Sequence, residues 1–541
     1  MQMNPETQAP AGQSKLGPQT SILLVILIIS AILIGLYWRS RYGGDITEGD
    51  SQRMTADINN VYTSETINPS NGAIYVSGFG FPVIMTFISH LTNLSVHDLQ
   101  LDSPIWFGPL ILIAFLAYRE LLRSAIAALT ACFLLMLMPD FVFYIMRLSH
   151  EKATWMFALL LVYLLARSYR MTSLRAVTVN GILFYLVFWA MASTNVFFSS
   201  TLLTATAFSF VACQLLLRLN RFIQFSINIS VITRFILITL TGFVVIYSVI
   251  AYIYPPAKSY YYYLPIFQNR LQTLFIGEQS TQIISSAGIA PALTWRSSLT
   301  YLLLTIPQWT IVLISAASWI AIAWSLVRKK FNSQLLLIWL LYGAVTFQAL
   351  IAIVIDTGGF LLIENLTVRL FTTLALFAAP LASHLIIRVL TTLMNRERRV
   401  QMLSVVALTI VVAFSSLFML LKIVNDPVVS NLWIFYLPQQ VAGVAWLEDH
   451  LVNQQVYVDL FPIKRDAFLF DNPTDNQTLN YYFSGSTESI NRFSYILTSQ
   501  ITQYQANLTH ATLPMTVSYD QIYDNGDVKI YRFRPRNPFQ Q

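Results

Sequence analysis

The feature that most constrains this chain is a series of long apolar runs separated by short charged turns. The first, SILLVILIISAILIGLYW, ends at Trp38, and similar runs recur to about residue 423. A helix needs roughly 20 apolar residues to cross a bilayer, so the pattern predicts an α-helical polytopic membrane protein. Runs fall near 20–38, 104–118, 122–139, 153–167, 176–194, 199–217, 231–254, 299–323, 333–355, 367–390 and 401–423. They amount to about eleven transmembrane helices. The second and fourth are short, and residues 79–95 form a further apolar segment. The second run begins earlier, or is joined by that segment as a separate one, which lies along the interface as an amphipathic helix or re-enters the bilayer. Composition agrees. Of 541 residues 55% are hydrophobic and 11% charged, with mean hydropathy +0.58, which excludes an ordinary soluble domain.

The net charge of +7 is a topology signal. With the amino terminus inside, the inner turns carry Arg119 and Arg123, then Arg167, Arg170 and Arg175, then Arg218 and Arg221. Arg328–Lys330 and Arg388 with Arg396, Arg398 and Arg399 follow. Every inner turn obeys the positive-inside rule, while the outer connections mix acids and bases. No tight basic patch with interleaved aromatics is present, so no nucleic-acid partner is expected. Cys132 and Cys213 both lie inside apolar runs and read as small core residues.

Three regions depart from the apolar pattern. Residues 1–19 read as a disordered tail, and 20–423 as the membrane domain with long outer loops at 39–78 and 255–298. Residues 424–541 read as a small extracytoplasmic domain, α/β or mostly β. In it QVYVDL and DVKIYRF alternate as half-buried strands do, and DNGD precedes the second as a turn. Sequons at Asn93, Asn365, Asn476 and Asn507 fall in or near outer regions.

Polar residues gather at the outer ends of the runs. The first cluster, RYGGDITEGD at 41–50, places Asp45, Glu48 and Asp50 just beyond the first span, with Arg53 and Asp57 following. The second, PDFVFYIMRLSHEKATW, brings Asp140, Arg147, His150, Glu151 and Lys152 between two apolar runs. A plain reading makes its last three residues the start of a helix, with Glu151 favoured by the dipole. The third holds Asp356, Glu364 and Arg369; an intramembrane arginine calls for an acidic partner or a lipid phosphate. The 255–298 loop adds Lys258, Arg270, Glu278, Arg296 and a YYYY run, an interfacial anchor or the lining of a substrate path. Carboxylates accept protons or hold divalent cations, and basic groups neutralise a departing phosphate. Group transfer at a membrane surface needs both.

With these clusters on one face, the chain resembles the polytopic glycosyltransferases of the C-type fold, GT-C. That class uses lipid-phosphate-linked sugars and includes oligosaccharyltransferases, protein mannosyltransferases and aminoarabinose transferases. The resemblance spans the full length in layout and is specific in the loops. It implies that an essential acid lies in the first outer loop, here Asp45 or Asp50, with Glu48 a third candidate. It implies that MRLSHEK at 146–152 is the second polar motif, with His150 and Glu151 its pair, and that Arg369 in NLTVRLF contacts the donor phosphate. Arg147, Lys152, Lys258 and Arg296 join the donor-phosphate or acceptor set. A divalent cation, Mg²⁺ or Mn²⁺, would be held by Asp45 and Glu151. The chain lacks the WWDYG motif of oligosaccharyltransferases and a doubled acidic DxD in the second cluster, so protein N-glycan transfer is not implied.

The expected activity is sugar transfer from a polyprenyl-phosphate donor to a lipid, surface polysaccharide or glycoprotein acceptor on the outer face of the cell membrane. A transporter or lipid flippase is the alternative, and it would use polar residues deep in the spans. Asn195, Arg234, Gln308 and Gln348 are the material for it. A non-enzymatic envelope assembly protein, binding through the carboxy-terminal region, is the third reading.

Overall fold

The computed structural model describes residues 17–41, 49–67, 78–168, 171, 173–223, 229–253, 298–328, 335–357, 366–395, 398–424, 438–450, 456–458, 495–499 and 519–533. The helices are α1 (Pro18–Arg41), α2 (Gly49–Ser64), α3 (Gly80–Thr92), α4 (Val96–Asp102), α5 (Phe107–Leu122), α6 (Ala125–Met136), α7 (Pro139–Met146) and α8 (Glu151–Ser168). They continue with α9 (Leu174–Thr194), α10 (Val196–Ile223), α11 (Ile229–Ile253), α12 (Ser298–Val327), α13 (Leu336–Thr357), α14 (Leu366–Met394), α15 (Arg398–Val424) and α16 (Pro438–His450). Four strands follow: β1 (Val456–Val458), β2 (Tyr495–Ser499), β3 (Tyr519–Asp524) and β4 (Val528–Phe533).

Every predicted apolar run contains a helix among the described residues. Among the described residues eight helices are long and apolar enough to cross a bilayer, or nine with α6 and α7 taken as one bent span. The second run starts early: α4, a 3₁₀ turn (Ser103–Trp106) and α5 together form a continuous apolar stretch from Val96 to Leu122. The fourth run, α8, falls short because Glu151, Lys152 and Arg167 all lie within its 18 residues. The third run differs most from expectation. It stops at Met136, and α7 leaves at 74° because Pro139 cannot continue a helix.

α14 is the most enclosed of the candidate spans and packs on α12, α13 and α6. Polar ties cross its interfaces: Tyr118 Oη donates to the Leu376 carbonyl at 2.9 Å and Ser383 Oγ to that of Ala127 at 2.6 Å. Trp319 and Trp339 stack at 5.2 Å and exchange indole hydrogen bonds with each other's carbonyls at 2.9 and 3.1 Å. Each such bond adds about 0.6 kcal/mol in a bilayer. α1 and α15 instead present exposed Leu23, Leu33, Met402 and Leu403, an apolar surface suited to acyl chains.

In the carboxy-terminal region the strands pair in the order β1-β2-β4-β3, with β1 parallel to β2. The expected DNGD turn joins β3 to β4. Gly526 has φ +92°, Asp524 Oδ1 accepts from its N–H at 2.8 Å, and Asn525 Oδ1 accepts from Val528 N at 2.8 Å. α16 packs on β4 with Leu447 buried.

Candidate active site

The second polar cluster occupies the link between α7 and α8. α7 ends at Met146, capped by Arg147 with ψ 141°, and α8 begins at Glu151. A connection of this kind ordinarily lies in water, yet Arg147, Leu148, Ser149, His150, Glu151 and Lys152 are all buried. Polar groups removed from water require partners, and three elements supply them.

α2 supplies the first. Its buried stripe runs Ser51, Met54, Asp57, Ile58 and Val61, the spacing of one helix face. Ser51 Oγ accepts from Leu148 N at 3.1 Å. α4 supplies the second: Gln100 Nε2 donates to the Leu148 carbonyl at 2.6 Å and to Thr55 Oγ1 at 3.4 Å, tying α4, α2 and the link together. The 3₁₀ turn supplies the third, with Lys152 Nζ donating to Ser103 Oγ at 2.7 Å. An Arg39–Asp102 ion pair anchors this layer to the end of α1. Beneath it Gly78, at φ +149°, lies where an added Cβ would stand 2.2 Å from the Ser193 carbonyl oxygen, so α3 begins hard against α9.

Within the link, Ser149 Oγ donates to Glu151 Oε2, and His150 Nδ1 lies 4.0 Å from the same oxygen. Burial pushes the Glu151 carboxyl up, but His150, Arg147 and the Ser149 hydroxyl outweigh it and lower its pKa to about 2. Glu151 therefore stands as a carboxylate beside Arg147 and His150 at the head of α8, outside the apolar run that follows. The Arg147 guanidinium lies 5.7 Å from the Phe143 ring centre and 5.3 Å from that of Tyr144. Trp155 backs the cluster, 5.9 Å from Tyr144 and 5.7 Å from Phe198, whose N–H donates to Asn195 Oδ1 at 3.1 Å.

The structure thus brings the first-loop helix onto the second cluster. Asp50 is the second residue of α2, adjacent to the Ser51 that bonds the link; its side chain lies outside the described ones. Asp45, Glu48, Glu364, Lys258 and Arg296 lie outside the described residues. Asp356 and Arg369 lie in α13 and α14, again with side chains outside the described ones. Ser51, Gln100 and Ser103 were not foreseen as site residues, and Asp57 was read only as part of a loop. The i, i+3, i+6, i+7 spacing of Ser51, Met54, Asp57 and Ile58 was the available signal for a buried face.

Of the polar residues that suggested transport, Gln308 and Gln348 are occupied in fastening helices. Gln308 Nε2 donates to Asp140 Oδ2 at 2.6 Å while Asp140 N donates to Gln308 Oε1 at 3.3 Å, clamping α12 to α7. Gln348 Nε2 donates to the Thr201 carbonyl at 3.2 Å, joining α13 to α10. Asn195 caps α9, and the Arg234 side chain lies outside the described ones. Cys132 and Cys213 are buried free thiols, as expected. Among the described residues no three His, Cys, Asp or Glu side chains cluster as metal ligands.

No protein-family profile matches the chain, and no curated protein matches it. Solved structures do. The Archaeoglobus fulgidus oligosaccharyltransferase in complex with Zn and sulfate is 12% identical, with TM-score 0.55 over 94% of this chain and 73% of its own. The same enzyme tethered to an acceptor peptide containing an NVT sequon aligns at 12% identity and TM-score 0.53, over 95% of this chain and 75% of its own. ArnT from Cupriavidus metallidurans, bound to undecaprenyl phosphate, aligns at 13% identity and TM-score 0.49, over 94% of this chain and 97% of its own. The chain therefore has the fold of the GT-C glycosyltransferases, and it is a multi-pass membrane protein.

Proposed function

We propose that this protein transfers a sugar from a polyprenyl-phosphate donor to a hydroxyl of a lipid or cell-surface polymer at the outer face of the membrane. The observation that carries the reading is the junction of the first-loop helix with the buried Arg147–Lys152 segment, through Ser51 and Leu148. It stands within a fold common to polytopic transferases of lipid-linked sugars.

In this reading Asp45 or Asp50, with Glu48 the third candidate, removes the proton from the acceptor hydroxyl. The acceptor oxygen bonds to the anomeric carbon as the bond from that carbon to the phosphate oxygen breaks, and polyprenyl phosphate leaves. Arg369, Arg147, Lys152, Lys258 and Arg296 neutralise that phosphate, and His150 and Glu151 position the acceptor. Low local dielectric strengthens each of these interactions. Glu151, held ionised, is a suitable oxygen ligand for Mg²⁺ or Mn²⁺, with Asp45 the further carboxylate a cation would need. The charge pattern of the turns puts the cluster and the carboxy-terminal strands on the extracytoplasmic side.

The test is a transfer assay in membranes with radiolabelled polyprenyl-phosphate sugars and native lipid extract, comparing wild type with Asp45→Asn and Asp50→Asn at matched expression. The expected result is transfer by wild type and a fall of about 10²–10⁴-fold in one variant. Full activity in both variants would remove the base assignment. Absence of transfer with every donor and extract would sink the enzyme reading. Loss of transfer on chelation, restored by Mn²⁺ or Mg²⁺, would support the cation; indifference to chelator would exclude it.

A further inference from the structure

We propose that the opposite end of the bundle carries a site for an anionic phospholipid of the inner leaflet, in a groove between α8 and α9. α8 has 18 residues, so Arg167 in its last turn stands about 24 Å along the axis from Glu151. There the two helices leave a groove of about 370 Å³ lined by Arg167, Ser173, Arg175, Val179, Asn180 and Leu183 among others.

The groove is preformed. Asn180 Nδ2 donates to the Leu164 carbonyl at 3.0 Å, locking α9 to α8 at this level. Arg167 is steadied on its own helix, with Nη1 donating to Tyr163 Oη at 3.0 Å and its guanidinium 5.8 Å from that ring. Arg175 arrives from the first turn of α9, whose amino-terminal dipole favours an anion. No acidic side chain lines the groove among the described residues.

The occupant follows from what adjoins the charges. Val179 and Leu183, one turn apart on α9, are 51% and 46% exposed and continue the groove along the face that meets the bilayer. Two guanidiniums above an apolar track fit an amphiphile: phosphate at the arginines, acyl chain along Val179 and Leu183. A free phosphate would leave the track unused. The positive-inside pattern assigns this end to the inner leaflet, where basic pockets between helices meet acidic head groups. A second groove, of about 290 Å³, repeats the pairing on α14 with Arg388 beside Leu385, Val389 and Leu393.

Native mass spectrometry of the purified full-length protein tests the site, with phosphatidylglycerol, phosphatidylcholine or inorganic phosphate added. Wild type should retain phosphatidylglycerol in preference to phosphatidylcholine. Arg167→Gln with Arg175→Gln should weaken that binding roughly 30-fold, from about 1 kcal/mol for each charge near the surface. The paired lysine substitutions should keep most of it. Val179→Trp, which obstructs the track with both arginines in place, should also weaken it. Equal retention of the two lipids by wild type would overturn the proposal, as would undiminished binding in the glutamine pair. Displacement of phosphatidylglycerol by equimolar phosphate would also overturn it, by showing an anion site without a chain site. Should the glutamine pair fail to fold, Val179→Trp decides: unchanged phosphatidylglycerol binding sinks the site.

Discussion

Glu151 shows how a single residue's surroundings decide its chemistry. Left to burial it would hold a proton; His150, Arg147 and Ser149 reverse that and lower its pKa to about 2. The sign of the linkage follows. A carboxyl with a native pKa below its ordinary 4.5 stabilises the fold above pH 4.5, and that contribution disappears as pH falls towards 2. Acid titration of the purified protein, followed by tryptophan fluorescence, should therefore show stability falling through this window. Glu151→Gln, which cannot titrate, should flatten that part of the curve. An unchanged acid slope in the variant would mean that Glu151 is not the carboxylate governing it. The sequence placed Glu151 in the first turn of a helix, which is where it lies. It could not show that the turn is sealed beneath α2 and α4.

At the scale of elements, the outer layer is held by close approach and by single hydrogen bonds. Gly78 is the narrowest point: its φ of +149° suits glycine, and a Cβ would stand 2.2 Å from backbone of α9. Gly78→Ala should cost about 1–3 kcal/mol, read as a lower Tm for the purified protein. It should also lower transfer activity, because α3 supports α2 and α2 carries the first-loop residues. A melting temperature equal to wild type would show that this contact yields freely. The bend between α6 and α7 is the element that sequence reading missed. Its apolar run continued to Pro139, so one span was expected, whereas the chain turns by 74° there. The proline marked a stop. The new direction comes from contacts such as the Gln308–Asp140 clamp, 168 residues apart.

For the whole molecule the strongest prediction concerns topology. The charge pattern predicts the amino terminus, Arg123 and Arg328 inside, and the Asp50 and His450 regions outside. Single cysteines at those positions in intact cells should react with a membrane-impermeant maleimide only at the two outer ones. Cys132 and Cys213 are buried, so the native background should be low. Labelling at the inner positions would invert the orientation and move the proposed sugar and lipid sites to opposite leaflets.

The sequence by itself determined the membrane class, the place of the long apolar runs, and the β3–β4 turn. These depend on local properties: twenty apolar residues have no stable alternative to a helix in a bilayer, and Asn-Gly between two alternating strand-like runs favours a tight hairpin turn. It also located the polar motifs at the ends of the runs. Only the tertiary structure decided which motifs meet. Ser51 reaches Leu148 across 97 positions, and Lys152 reaches Ser103 across 49. It also decided that Gln308 and Gln348 fasten helices. Such pairings depend on which helices lie side by side. That is set by the summed packing of the bundle, in which each residue's own chemistry contributes a small part.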